Sequence, residues 1–212
     1  MICISIAEPT PEKCLAALQG APFAEIRLDR MSVDAQGVRQ IFSRRRGLIA
    51  TCRPGGMPAE TRKALLLAAI AAGASYVDIE VDAGEDDRRV IVAAAKKAGC
   101  RIIVSYHHLG RTPSRRELAS IVERCFAGGA DVAKIACRVE SERDNARLLG
   151  LLDDARPLAV MGLGRKGTKT RVMASLLGAV FVYASRGAGR ETAEGQIDHD
   201  RLASVLRTME EI

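Results

Sequence analysis

Asp131-Val132-Ala133-Lys134-Ile135-Ala136 sets a lysine inside a short apolar run, and Val104-Ser105-Tyr106-His107-His108 sets histidines at the end of another. Each run follows a helical pattern that ends in glycine, and each reads as a strand. Burying an ammonium is costly, because desolvation disfavours the charged form. The same desolvation favours a free, nucleophilic amine. A histidine on the preceding strand brings an acid/base group that works near neutrality. The two runs together predict a lysine that forms an imine with a carbonyl substrate and a histidine that moves protons.

The strand-then-helix alternation around them extends over the whole chain. Strands are predicted at Ile2–Ala7, Phe23–Leu28, Gly47–Cys52, Ser75–Val81, Arg101–His107, Asp131–Cys137, Leu158–Gly162 and Ala179–Ala184. Thr10-Pro11 opens the first helix, with threonine as N-cap and proline at the first helical position. Helices are predicted next at Val33–Phe42, Thr61–Ala72 and Asp86–Ala98, the last two closed by Gly73 and Gly99. A fifth opens with the capping-box signature Ser114-x-x-Glu117 and closes at Gly128-Gly129. Ser141–Leu152, Lys169–Leu177 and Asp198–Glu211 complete the set. Eight β/α units of roughly 26 residues, with no compositional break, predict an α/β fold. Its form is a (β/α)8 TIM barrel, one catalytic domain over residues 1–212. An open doubly wound sheet would advertise a glycine-rich turn after its first strand, and Ile6-Ala7-Glu8-Pro9 is not one.

Bulk properties narrow the function. The chain has 212 residues, is 48% hydrophobic and 27% charged, and carries a formal charge of +6. That balance suits anionic partners. Aromatics are only 3%, with no tryptophan to stack on bases, which argues against nucleic acid. The Arg44-Arg45-Arg46 run reads as a solvated helix end. Cysteines at 3, 14, 52, 100, 125 and 137 form no C-x-x-C pair, so zinc-ribbon and thioredoxin readings fail. They read as small buried hydrophobes of a reducing cytosol. The first residues lack a signal-peptide pattern, and the longest uncharged run, Ala64 to Val77, is too short to cross a bilayer. The expectation is a cytoplasmic protein without membrane association.

In a barrel, alternate residues of each strand point inward, and chemistry sits at the strands' C-terminal ends. Period two then groups Glu25 with Arg27, Thr51 with Arg53, Asp78 with Glu80, Ser105 with His107, and Lys134 with Val132 and Ala136. Ser5 ends the first strand. So many charges on one face need partners. Glu25 and Arg27 could instead pair with each other to close the barrel, and Lys134 alone could snorkel to solvent. Only strand phase separates His107 from His108. After the seventh strand, Met161-Gly162-Leu163-Gly164-Arg165-Lys166-Gly167 brings glycines and cations to a helix start, a setting that suits an anion. Ser185 to Gln196 is polar, glycine-rich and long enough to be a lid.

Read in order, Glu25-Ile-Arg27-Leu-Asp29, Thr51-Cys-Arg53, Asp78-Ile-Glu80, Ser105-Tyr-His107, Asp131-Val-Ala-Lys134-Ile-Ala136, Met161-Gly162, Thr170-Arg171 and Gly195-Gln196-Ile197 resemble type I 3-dehydroquinate dehydratase. The resemblance spans the first strand to the last helix and is closest to shorter members without an N-terminal extension. It implies loss of water from 3-dehydroquinate to give 3-dehydroshikimate, a shikimate-pathway step, with no metal or organic cofactor. Lys134 matches the Schiff-base lysine and His107 the general acid/base. Arg171 and Gln196 match residues that hold the substrate carboxylate, with Thr192 where the family has serine. Glu25, Arg27 and Arg53 match residues that bind ring hydroxyls, and Ser5 is a further contact. A homodimer is also implied.

Three departures are visible. Pro54-Gly55-Gly56 follows Arg53 where the family has Glu-Gly-Gly, so the usual carboxylate beside the histidine is absent and Glu80 or a water would take its place. Glu194 replaces a proline in the lid, which should loosen the lid and put negative charge near the bound carboxylate. The segment from Gly162 to Arg171 is about two residues longer than usual. The competing readings are another lysine-imine barrel, an aldolase on sugar phosphates with Gly162, Gly164 and Gly167 as phosphate cradle, or an impaired barrel that binds a small acid or a partner protein.

Overall fold

A computed structural model of the chain describes residues 1–211. Its strands are β1 (Ile2–Ile6), β2 (Ala24–Arg27), β3 (Leu48–Thr51), β4 (Tyr76–Glu80), β5 (Arg101–His108), β6 (Val132–Arg138), β7 (Leu158–Leu163) and β8 (Val182–Ser185). Its helices are α1 (Pro11–Ala17), α2 (Ala35–Phe42), α3 (Ala59–Ala71), α4 (Glu85–Ala98), α5 (Arg115–Ala127), α6 (Glu142–Leu149), α7 (Thr168–Leu176) and α8 (His199–Glu210). One helix follows each strand, and the strands run in one sheet in the order β7-β6-β5-β4-β3-β2-β1-β8. This is the (β/α)8 TIM-barrel class that the alternation predicts.

The chain falls into two compact units, Ser5–Ile103 and Met1–Ile4 with the residues from Val104 onward. In the first, β2 and β3 pair in parallel with Arg27 opposite Thr51, and β3 continues onto β4 with Thr51 opposite Asp78. Ile26, Leu28, Ile49 and Val77 are fully buried on these strands and their ends. In the second, β6 and β7 pair from Ala133–Leu158 through Arg138–Leu163, with Lys134 opposite Ala159. Val180 N–H donates to Leu158 O at 2.9 Å, tying the approach to β8 to the start of β7. Ala174, Val182, Ala184, Leu202 and Leu206 then pack α7, β8 and α8 into one apolar cluster.

Local signals set the helix starts. Thr10 caps α1, and Ser114 and Glu117 form a reciprocal capping box on α5. Ser141 and Asp144 form a second box on α6. Two elements differ from expectation by three residues, the others by one or two. The sixth helix ends at Leu149 and tightens into a 3-10 turn over Gly150–Asp153, because glycine weakens the α-helix there. The eighth strand begins at Val182 rather than Ala179. Gly178 sits at φ +93°, and Ala179 N–H returns to Ala174 O, so 178–180 serve to end α7.

All six cysteines are buried free thiols. Burial pushes Cys14 and Cys137 up to about 12 and Cys52 to about 11, which keeps them unreactive. Among the described residues no helix is long and apolar enough to cross a membrane.

Candidate active site

Lys134 stands third on β6, between Val132 and Ala136 on the inward face, and is 4% exposed. It does not snorkel to solvent. Its Nζ lies 4.1 Å from the centroid of the Tyr183 ring on β8, a cation–π geometry. Tyr183 is itself buried and meets Phe181 edge-on at 5.5 Å, which holds the ring in place.

β5 is the sheet neighbour of β6, so His107 and Lys134 stand on adjacent strands. His107 is half-buried and shares its strand face with fully buried Ser105. His108 points the other way. Its Nδ1 accepts from the backbone N–H groups of Gly110 and Arg111 at 3.2 and 3.0 Å, and its ring tilts against Tyr106. His108 therefore caps the turn that follows the strand.

Arg171 is on α7 and only 1% exposed. Its Nε donates to Gly195 O at 3.0 Å and its Nη1 to Tyr183 O at 3.2 Å, while the buried Nη2 has no hydrogen-bond partner. Burial pulls this guanidinium down to about 10. A buried cation with an open N–H edge is a seat for an anion, and arginine's fork matches a carboxylate.

The segment after β8 makes hydrogen bonds within itself and packs closely on the end of β7. Gln196 Oε1 accepts from Thr192 N–H at 2.8 Å and from Thr192 Oγ1 at 3.2 Å. Gly195, at φ +79°, lies so close to β7's end that a Cβ would stand 2.4 Å from Gly164 O. Glu194 O accepts from Gly164 N–H at 3.1 Å. The Glu194 carboxylate pairs with Arg138 at the end of β6, whose Nε also bonds Glu140 at 3.0 Å. Glu194, where the resemblance implies a proline, thus carries an ion pair that neutralises its charge.

The turn after β7 is not a phosphate cradle. Gly162 N–H donates to Thr170 Oγ1 at 2.7 Å, Gly164 N–H to Glu194 O, and Gly167 N–H to Gly164 O at 2.9 Å. Gly162 and Gly167 are packed so closely that a Cβ on Gly167 would lie 2.5 Å from Gly162 C. These glycines serve backbone packing, and their donors are spent internally.

In the unit Ser5–Ile103 a second polar set forms. Glu25, 4% exposed, accepts from Ser5 Oγ at 2.7 Å and Thr51 Oγ1 at 3.1 Å. Arg27 forks onto Asp29 at 3.0 and 2.7 Å, and the negative charge of Glu25 also bears on it. Arg53 forks onto Asp78 at 2.9 and 2.6 Å and reaches Glu80 at 2.7 Å. Burial alone would lower both guanidinium groups. The neighbouring carboxylates outweigh it and raise them, Asp29 chiefly for Arg27, Asp78 and Glu80 for Arg53. Among the described residues no group of three or more His, Cys, Asp or Glu could hold a metal ion.

Two contributors escape a sequence reading. Tyr183 shares the period-two face of Phe181 and Ser185, but an aromatic there reads as core. Arg138 follows Lys134 and Ala136 on one face of β6, yet nothing local links it to Glu194, 56 residues away.

The family model for type I 3-dehydroquinase matches residues 2–212. The 3-dehydroquinate dehydratase of Methanosarcina barkeri is 33% identical over 92% of this chain and 88% of the relative. The 3-dehydroquinate dehydratase of Enterococcus faecalis has a structure similar at TM-score 0.81, with 27% identity, 98% of this chain and 92% of that one. The type I 3-dehydroquinate dehydratase of Clostridium difficile, solved with covalent modified comenic acid, shares the fold at TM-score 0.87 and 22% identity, over 99% and 92% of the two chains.

Proposed function

We propose that this chain, which belongs to the type I 3-dehydroquinase family, removes water from 3-dehydroquinate to give 3-dehydroshikimate through an imine on Lys134. The unprotonated Nζ adds to the C3 ketone, and loss of one water gives the protonated imine. That cation acidifies the C2 proton, which His107 removes to leave an enamine. The enamine electrons expel the C1 hydroxyl as His107 returns its proton, releasing the second water. Hydrolysis consumes one water, frees the enone and restores the amine, so the net change is loss of one water. Proton transfer of this kind contributes about 10²–10⁴-fold.

The observation that carries the reading is the buried Lys134 amine over the face of Tyr183. A ring there stabilises the positive imine. Arg171 supports it from the same unit: its open Nη2 suits the substrate carboxylate. Gln196 assists with its amide NH2, since Thr192 occupies the amide oxygen. Ser5, Glu25, Arg27 and Arg53 are assigned to the ring hydroxyls by their match to the family pattern. The spent glycine N–H groups after β7 weigh against the sugar-phosphate aldolase.

The partner on this reading is a small acid, not nucleic acid, and the chain works as one catalytic domain. The buried free thiols support a cytoplasmic setting. Exposed Met173, Leu176, Val205 and Met209 on α7 and α8 support a homodimer, for which light scattering should give twice the chain mass.

The test is incubation with 3-dehydroquinate and borohydride. Expected are a stable added mass on the Lys134 peptide and, without reductant, enone absorbance. A Lys134→Ala variant that turns over at full rate overturns the imine.

A further inference from the structure

We infer that Arg138 and Glu194 are positioning residues: their ion pair fixes the segment that carries Gly195 and Gln196 over Arg171, so that the carboxylate seat is assembled before an anion arrives. The inference rests on the reading of Arg171 and Gln196 as that seat. Four contacts within residues 104–211 converge on it. Glu194 is bound twice, by its carbonyl to Gly164 N–H and by its carboxylate to Arg138. The next residue, Gly195, gives its carbonyl to Arg171 Nε. Gln196 is fixed through its amide oxygen by Thr192. Arg138 in turn is seated: Glu140 holds its Nε, and its guanidinium lies against Gly164, where a Cβ would stand 3.2 Å from Cζ. Arg138 is also the residue of β6 four positions beyond Lys134, so the pair couples the catalytic strand to the loop.

The charge bookkeeping gives the pair a second role. Glu194 is chemically adjacent to the backbone that touches Arg171, so an unneutralised carboxylate there would oppose an incoming anion. Arg138 removes that opposition. The two roles predict an unequal pattern. Without Glu194's charge the loop loses a tie but gains no repulsion. Without Arg138 it loses the tie and leaves the negative charge in place.

The pair is partly exposed, 35% and 60% for the two side chains, so its worth is that of a surface pair. Such pairs change an equilibrium by up to about fivefold. A ligand that needs the assembled loop loses apparent affinity by the fraction no longer assembled, while the rate of the bound complex is untouched.

The experiment is steady-state kinetics on 3-dehydroquinate with Glu194→Gln, Arg138→Gln and the double variant. Expected are a KM raised by up to about threefold by Glu194→Gln, a larger rise by Arg138→Gln, and a double variant returned to the level of Glu194→Gln, all with kcat unchanged. Borohydride capture at saturating substrate should be equal in all four proteins. Unchanged KM in both single variants overturns the inference, as does a double variant whose effect is the product of the singles, since the two residues would then act independently. A parallel fall in kcat with KM constant also overturns it. If the wild-type protein neither turns over nor captures 3-dehydroquinate, the functional reading itself has failed, and that outcome is distinct from the others.

Discussion

The Lys134 amine and the Tyr183 ring meet at 4.1 Å across β6 and β8, and the main chain of the same tyrosine accepts Arg171 at 3.2 Å. One residue thus faces the proposed nucleophile with its ring and, through its carbonyl, steadies the arginine proposed to hold the anion. The ring role depends on the side chain and the carbonyl role does not, so substitution separates them.

Tyr183→Leu removes the π face and keeps the backbone acceptor. A desolvated cation–π contact is worth about 2 kcal/mol, or ~30-fold in the balance between the charged imine and its neutral precursor. Trapped Lys134 adduct should fall accordingly, while Tyr183→Phe stays near wild type. Equal trapping in the leucine variant would show that the ring is mere packing.

The two histidines should separate cleanly. His107→Ala should still capture substrate but lose about 10²–10⁴-fold in turnover. His108→Ala should keep turnover and lose about 1 kcal/mol of stability, because its Nδ1 holds the N–H groups of Gly110 and Arg111. Turnover assays and denaturant melts on both variants decide the matter, and a catalytic loss confined to His108→Ala would reverse the assignment.

Much of this was legible beforehand because the relevant signals are local. Period two alone grouped Glu25 with Arg27, Thr51 with Arg53, Asp78 with Glu80, Ser105 with His107, and Lys134 with Val132 and Ala136, and in the folded chain Thr51 bonds Glu25 while Arg53 binds Asp78 and Glu80. Thr10, Ser114 and Glu117 announced their caps for the same reason. What stayed hidden is the choice among possible partners. Arg27 sits two residues from both Glu25 and Asp29, and only the folded backbone selects Asp29. Gly162, Gly164 and Gly167 look like an anion turn until their N–H groups are found engaged. Glu194 reads as a liability because Arg138 is distant in sequence.

Arg171 makes binding visible as stability. Its burial disfavours its charge, and a bound carboxylate would offset that cost. At a ligand concentration near 100 times Kd the gain is about 2.7 kcal/mol, worth roughly 5–10 °C in a chain of this size. Product should raise the melting temperature of the wild type by that amount. Arg171→Lys, which keeps a charge but loses the fork, should show little shift at the same concentration. An undiminished shift would place the carboxylate elsewhere.

Arg53 carries a structural load that is separable from any contact with substrate. Asp78 is 1% exposed and receives the Arg53 fork. Arg53→Met should cost about 3–5 kcal/mol, because it leaves a buried carboxylate without that fork. Adding Asp78→Asn should recover part of the loss. Urea melts of the two proteins provide the check, and equal stability in both would mean that the charge on Asp78 is not what the arginine supports.

Gly195 is the point where backbone geometry and the proposed anion binding meet. Its φ of +79° already disfavours any other residue, and a Cβ would stand 2.4 Å from Gly164 O, a backbone atom that cannot swing aside. Gly195→Ala must therefore lift the segment off the end of β7 and draw its carbonyl away from Arg171 Nε. Because the displaced backbone is a loop and not core, the melting temperature should move by only a few degrees. The KM for 3-dehydroquinate should rise by more than about tenfold, since a misplaced donor weakens a charged contact steeply. Gly56→Ala is the matched control: a Cβ there meets nothing within 4 Å, so it should leave both KM and melting temperature unchanged. If Gly195→Ala binds substrate normally, the loop's seat against β7 has no part in holding the carboxylate.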